Sequence, residues 1–111
     1  MDWFYYNLYE PLHDNPEFVE IERVYCFAFD IFTDADWQSL NDIYNRLPER
    51  RTNTPDGCPW WFGVDEESEP FLWASVEPPG LQVYGVLRPG DWIKWDTAFR
   101  SQAEELPKRQ V

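Results

Sequence analysis

Three kinds of side chain in this sequence could do chemistry: one histidine, two cysteines and a run of carboxylates. His13, the only imidazole, sits in HDNPE beside Asp14 and Asn15, where it reads as a solvated loop residue. No Ser-His-Asp set can be assembled without it. The G-x-S-x-G, P-loop, G-x-G-x-x-G and H-E-x-x-H patterns are also missing from the sequence. Cys26 lies in VYCFAF, a buried-strand pattern, and Cys58 in the loop TPDGCPW. Two thiols and one imidazole fall short of a four-ligand zinc site. Asp65, Glu66, Glu67 and Glu69 in DEESE would attract a hard cation, but the ligand and glycine spacing of a calcium loop is not there. Glycoside hydrolysis by paired carboxylates needs a pocket that tunes them, and none is marked in the sequence. The expectation is a chain that is not an enzyme and holds no cofactor and no metal.

The chemistry left is that of charge and aromatic surface. Acids outnumber Lys and Arg by 21 to 9, for a net charge of −12. Residues 1–22 hold six acids and no base, and residues 52–87 again six acids and no base. Those two segments account for the whole excess, since the segments at 23–51 and 88–111 sum to −1 and +1. Such a balance argues against binding a phosphate backbone, which needs clustered cations. Aromatic residues make up 19% of the chain, with seven Trp, more than a core of this size requires.

The elements that must position these residues follow from periodicity. A chain of 111 residues with 43% hydrophobic content makes one domain with its own core. Trp3 to Tyr9 is extended and aromatic. FVEIERVYCFAFDIF, residues 18–32, reads as an interior strand with Phe27, Phe29 and Ile31 on one face and Asp30 on the other. Thr33 with Asp36 resembles a capping box. Trp37, Leu40, Ile43, Tyr44 and Leu47 then form a helical stripe that Pro48 ends. After a polar loop at 48–59 come three short strands, Trp60–Val64, Phe71–Val76 and Leu81–Leu87, joined by DEESEP and EPPG turns. A second helix starts at Pro89-Gly90-Asp91 and carries Trp92, Trp95, Phe99 and Leu106.

Asp91-Trp92 follows Asp36-Trp37 by 55 residues, and both pairs come after a strand and a short turn, which suggests an internal duplication. The expected fold is therefore α+β: one mostly antiparallel sheet of about five strands, order ββα-βββα, with both helices on one face and Trp37 and Trp92 buried beneath them. Acids and aromatics should then gather on the other face. Tyr84 and Val86 are read as facing the helices, and Trp3, Tyr5, Tyr9, Trp61 and Trp73 as candidates for the open side.

In size, acidity and ββα organisation the chain resembles the immunity proteins of bacterial polymorphic toxin systems. The WFGVDEESEPFLWASVEPPGLQVYGVL block before an Asp-Trp helix carries the resemblance. No named motif of that class is matched, so no functional residue is carried over from it. The resemblance implies a cytoplasmic inhibitor that occludes a basic toxin domain, often a nuclease. MDWFYYNLYEP has no basic n-region and no apolar run reaches the ~18–20 residues of a membrane span, so the expectation is a cytoplasmic chain without a secretory signal. The partner-binding residues expected are Asp30, Trp61, Asp65, Glu66, Glu67, Glu69 and Trp73. The partner is a basic protein, with neither nucleic acid nor membrane bound directly. Two further readings are a DNA mimic of the anti-restriction or anti-CRISPR kind and a Trp-lined sugar-binding module.

Overall fold

The computed structural model describes residues 4–52, 54, 57–67 and 69–109, with only the backbone of Tyr5 and Tyr6. Trp3 and the Tyr5 side chain, two of the expected open-face aromatics, lie outside the described residues. The chain is α+β, with two helices and one open antiparallel sheet of six strands. In chain order the elements are β1 (Phe4–Pro11), β2 (Val19–Tyr25), a 3-10 turn (Phe29–Ile31), α1 (Asp34–Arg46), β3 (Arg50–Arg51), β4 (Trp60–Trp61), β5 (Phe71–Glu77), β6 (Gly80–Leu87) and α2 (Pro89–Gln102). Across the sheet the order is β1-β2-β6-β5-β4-β3.

The sixth strand is β3, two arginines inside the segment expected to be loop. Its pairing of Arg50 with Trp61 and Arg51 with Trp60 leaves no periodicity to detect. β4 stops at Trp61 because Phe62 takes a positive φ of 70°, which leaves extended backbone. β2 is shorter than expected. It ends at Tyr25, and the apolar residues beyond it pack locally: Phe27, Phe29 and Phe32 cluster beside α1, with Phe32 edge to face against the other two rings. The β5–β6 turn pairs Glu77 with Gly80. A side chain at Gly80 would overlap the Tyr25 carbonyl, so glycine is required at this close approach.

Both helices cover the same face. Leu40, Ile43 and Tyr44 of α1 and Trp92, Trp95 and Phe99 of α2 join Ile21, Leu72, Leu81, Val83 and Trp61 in one buried cluster. At the start of α1 the capping box forms in full: Thr33 Oγ1 accepts from the Asp36 amide at 3.1 Å, and Asp36 Oδ2 accepts from the Thr33 amide at 3.0 Å. At the start of α2 Arg88 occupies the N-cap and makes no side-chain cap bond. The two Asp-Trp pairs are therefore not equivalent. Trp92 is 4% exposed, whereas Trp37 is 38% exposed and stacks on Phe29 at 5.1 Å. Trp37 is a rim residue, which corrects the expectation that both would be buried.

A buried polar network joins the sheet to α2 on the helix side. The Arg23 guanidinium donates to Asp96 Oδ1 at 2.7 Å and to Asn7 Oδ1 at 3.0 Å, and Tyr25 Oη donates to the same Asp96 oxygen at 2.5 Å. The network ties β1 and β2 to α2.

Candidate functional site

Among the described residues no helix covers the second face of the sheet, although Trp60, Phe71 and Val86 on it are buried beside Phe18 and Leu12. Cross-strand partners share a face, so the register places Glu20, Glu22 and Val24 of β2 with Val86, Tyr84 and Gln82 of β6, and these with Phe71, Trp73 and Ser75 of β5. The expected parity of β6 is thus reversed. Leu81, Val83 and Leu87 face the helices, while Tyr84 and Val86 stand on the open side. A small second core of Phe18, Trp60, Phe71 and Val86 supports this face, with Trp73 and Tyr84 packed against it half-buried.

The aromatics run as a row, Trp60 to Phe71 to Tyr84 to Trp73, with neighbouring ring centroids 5.7 to 6.1 Å apart. Carboxylates hold two of them. Trp73 Nε1 donates to Glu66 Oε2 at 2.6 Å, and Tyr84 Oη donates to Glu20 Oε2 at 2.6 Å. Gln82 Nε2 donates to Glu22 Oε2 at 2.8 Å, and Ser75 Oγ donates to Glu77 Oε2 at 2.5 Å. Glu10 of β1 lies opposite Glu20 and adds another acid to the face. Burial, then the Glu20 hydrogen bond and the charges of Glu20, Glu66 and Glu22, push the Tyr84 phenol above its ordinary value of 10.0. The phenol thus registers three carboxylates around one ring.

A groove of about 770 Å³ opens beside this row, walled by Trp60, Trp73, Asp65, Glu66, Glu67 and Glu77. None of the described residues lining it is basic. Arg51 and Arg88, at the margins of the face, are paired to Glu49 and Glu17. Among the described residues no three His, Cys, Asp or Glu converge on a metal position. No helix there is long and apolar enough to cross a membrane.

The structure brings some of the expected site residues together and separates others. Asp65, Glu66, Glu67 and Trp73 share the groove, and Glu69 is exposed at the end of the same turn. Trp61 does not belong to it. It points to the helix side, fully buried, with its indole N–H donated to the Tyr44 carbonyl at 3.1 Å, so it is a core residue that no partner can touch. Asp30 lies in the 3-10 turn and pairs with Arg109 at 3.3 Å. Its assignment to the open face assumed that β2 continued past Tyr25. Tyr9 is paired with Ile21 and so stands on the helix side, 45% exposed. Trp60, Tyr84, Glu20, Glu22 and Glu77 are the face residues that the sequence reading missed. VEIERVY did hold a signal, because Glu20 and Glu22 alternate with Val19 and Ile21 and fix which side is polar.

Comparison of the chain with protein-family models, with curated proteins and with solved structures gave no match.

Proposed function

We propose that the open face is the docking surface of an immunity-type protein inhibitor that acts in the cytoplasm, binds a basic toxin domain and occludes its substrate cleft. The observation that carries this reading is the Trp73–Glu66 pair, an anchoring ring and a carboxylate joined on a groove whose described lining has no base. Rings supply area that a partner can desolvate, and the surrounding acids draw a cationic surface toward it. No catalytic step is needed. Binding alone blocks the partner, and a nuclease, whose cleft is built for phosphates, is the partner class whose charge fits best.

A DNA mimic would use the same charge without needing the rings. Here Glu20 and Glu66 are bonded to Tyr84 and Trp73, so charge and aromatic area occupy one patch, and that favours protein contact.

The test is co-expression with the product of the adjoining gene. We expect growth rescue by the wild-type chain, loss of rescue with Trp73→Ala, and retained rescue with Trp37→Ala. Failure to neutralise that product overturns the inhibitor reading. Rescue that ignores open-face changes moves the interface elsewhere.

A further inference from the structure

Among the described residues, the outer margin of β5 is only partly covered. β4 pairs with Leu72 and Trp73, and the Pro59 carbonyl accepts the Ala74 amide at 3.2 Å. Beyond that point Ser75, Val76 and Glu77 pair with β6 on one side and with no described strand on the other. Strand amides alternate in direction, and the Ala74 amide points outward to Pro59, so the Val76 N–H and carbonyl point outward as well. Val76 is 48% exposed although it stands on the helix face. An edge of this kind is a template for another strand.

A different cleft opens on each side of that margin. On the open face the acidic groove reaches Ser75 and Glu77. On the helix face a cleft of about 420 Å³ is walled by Trp37, Leu40, Tyr44, Ala74 and Val76, and none of the described residues lining it is charged. Side chains of a strand alternate between the faces of a sheet. A strand laid along Ser75–Glu77 therefore sends one set of side chains into the acidic groove and the other into the apolar cleft.

From this geometry we infer that a partner's extended segment, with basic and apolar side chains in alternation, adds to the sheet at the margin of β5. The inference rests on the basic-partner reading of the open face and names the form that partner takes. The basic set belongs in the groove with Glu66, Glu67 and Glu77, because a cation in the uncharged cleft would lose its hydration without a counter-ion. A second copy of this chain is the wrong guest. Its alternating strand VEIERVY presents acids at Glu20 and Glu22, and two chains of net charge −12 repel.

The probe is a capped peptide of alternating Arg and Val, compared with a peptide of the same composition arranged in two blocks, each titrated into the full chain by NMR. We expect the alternating peptide to bind about tenfold more tightly, as two additional backbone hydrogen bonds allow. It should also slow hydrogen exchange of the Val76 amide. Methylating one alternate set of its amides should remove that advantage while methylating the other set preserves it. Val76→Pro should also remove it, since the Val76 N–H takes no part in pairing with β6. Equal binding of both peptides, with shifts at the Trp73 indole but none at Val76, overturns strand addition and leaves the basic-partner reading standing. Protection appearing instead at Phe4–Pro11 overturns the choice of edge. If neither peptide moves the Trp73 indole, both readings fail together.

Discussion

Trp73 on β5 and Glu66 in the acidic turn before it, seven residues apart, meet at 2.6 Å, with the indole nitrogen donating to the carboxylate. The bond fixes the ring on the sheet surface and holds a negative charge at its edge. Its geometry separates two contributions to binding that sequence composition leaves merged.

Loss of the ring and loss of the charges should act on different rate constants. Trp73→Ala removes desolvated contact, so dissociation from the neutralised partner should speed up, with a hot-spot cost of at least ~2 kcal/mol. Changing Asp65, Glu66, Glu67 and Glu69 together to amides should slow association and flatten its salt dependence, because exposed carboxylates work by long-range attraction that salt screens. Binding kinetics at two salt concentrations read both effects. A surface that binds by charge alone would show the salt effect and ignore Trp73.

Burial separates the two Asp-Trp motifs as well. Trp92 is enclosed, with its ring stacked on Trp95 at 5.9 Å, and truncation to Ala should cost about 3–5 kcal/mol. Trp37, at 38% exposure, loses less contact and should cost less than half as much. Urea denaturation of the two variants measures the difference. Equal losses would restore the symmetry that the structure denies.

Much of the architecture was legible because periodic burial writes it into the chain. The stripe Leu40, Ile43, Tyr44 and Leu47 and the Thr33–Asp36 capping box both fold as their spacing dictates. The face of the site was harder to read. Adjacent tryptophans at 60 and 61 point to opposite sides of the sheet, and only the pairing of Trp60 with Trp73 and Trp61 with Leu72 decides which is outside. That register comes from tertiary contact across turns, and no local pattern encodes it. The β2 boundary failed for a related reason. Phe27, Phe29 and Phe32 are as apolar as strand residues, but they pack around the start of α1.

Asp96 should matter more to folding than an acid on a helix ordinarily does. It is buried, accepts from Arg23 and Tyr25, and also pairs with Arg100 at 2.9 Å. Asp96→Ala strands the Arg23 guanidinium in the core, at a cost of about 3–5 kcal/mol. Removing both partners, as in Arg23→Met with Asp96→Leu, should recover a large part of that loss. Denaturation of the single and double variants tests the coupling, and additive losses would mean that the two side chains act independently.

The pH dependence of stability should show a steep alkaline limb set by three phenols. Burial is the main cause that raises Tyr25, followed by the Asp96 charge. Burial also leads for Tyr44, followed by Cys58 and opposed by Arg50. Tyr84 is raised by burial and then by Glu20. In each case the folded state keeps a proton that the unfolded chain releases near its ordinary value of 10.0. Stability from these groups is therefore complete below pH 10 and declines as the pH climbs toward the folded values, by about 1.4 kcal/mol per pH unit for each fully buried tyrosine. Glu20→Gln should move the Tyr84 titration back toward 10.0 without reaching it, since the carboxylate leaves and the burial remains. Absorbance titration of the phenolate in that variant and in Tyr84→Phe isolates the site phenol from the two core phenols. A Tyr84 titration that does not respond to Glu20 would show that the two side chains are not joined on the open face.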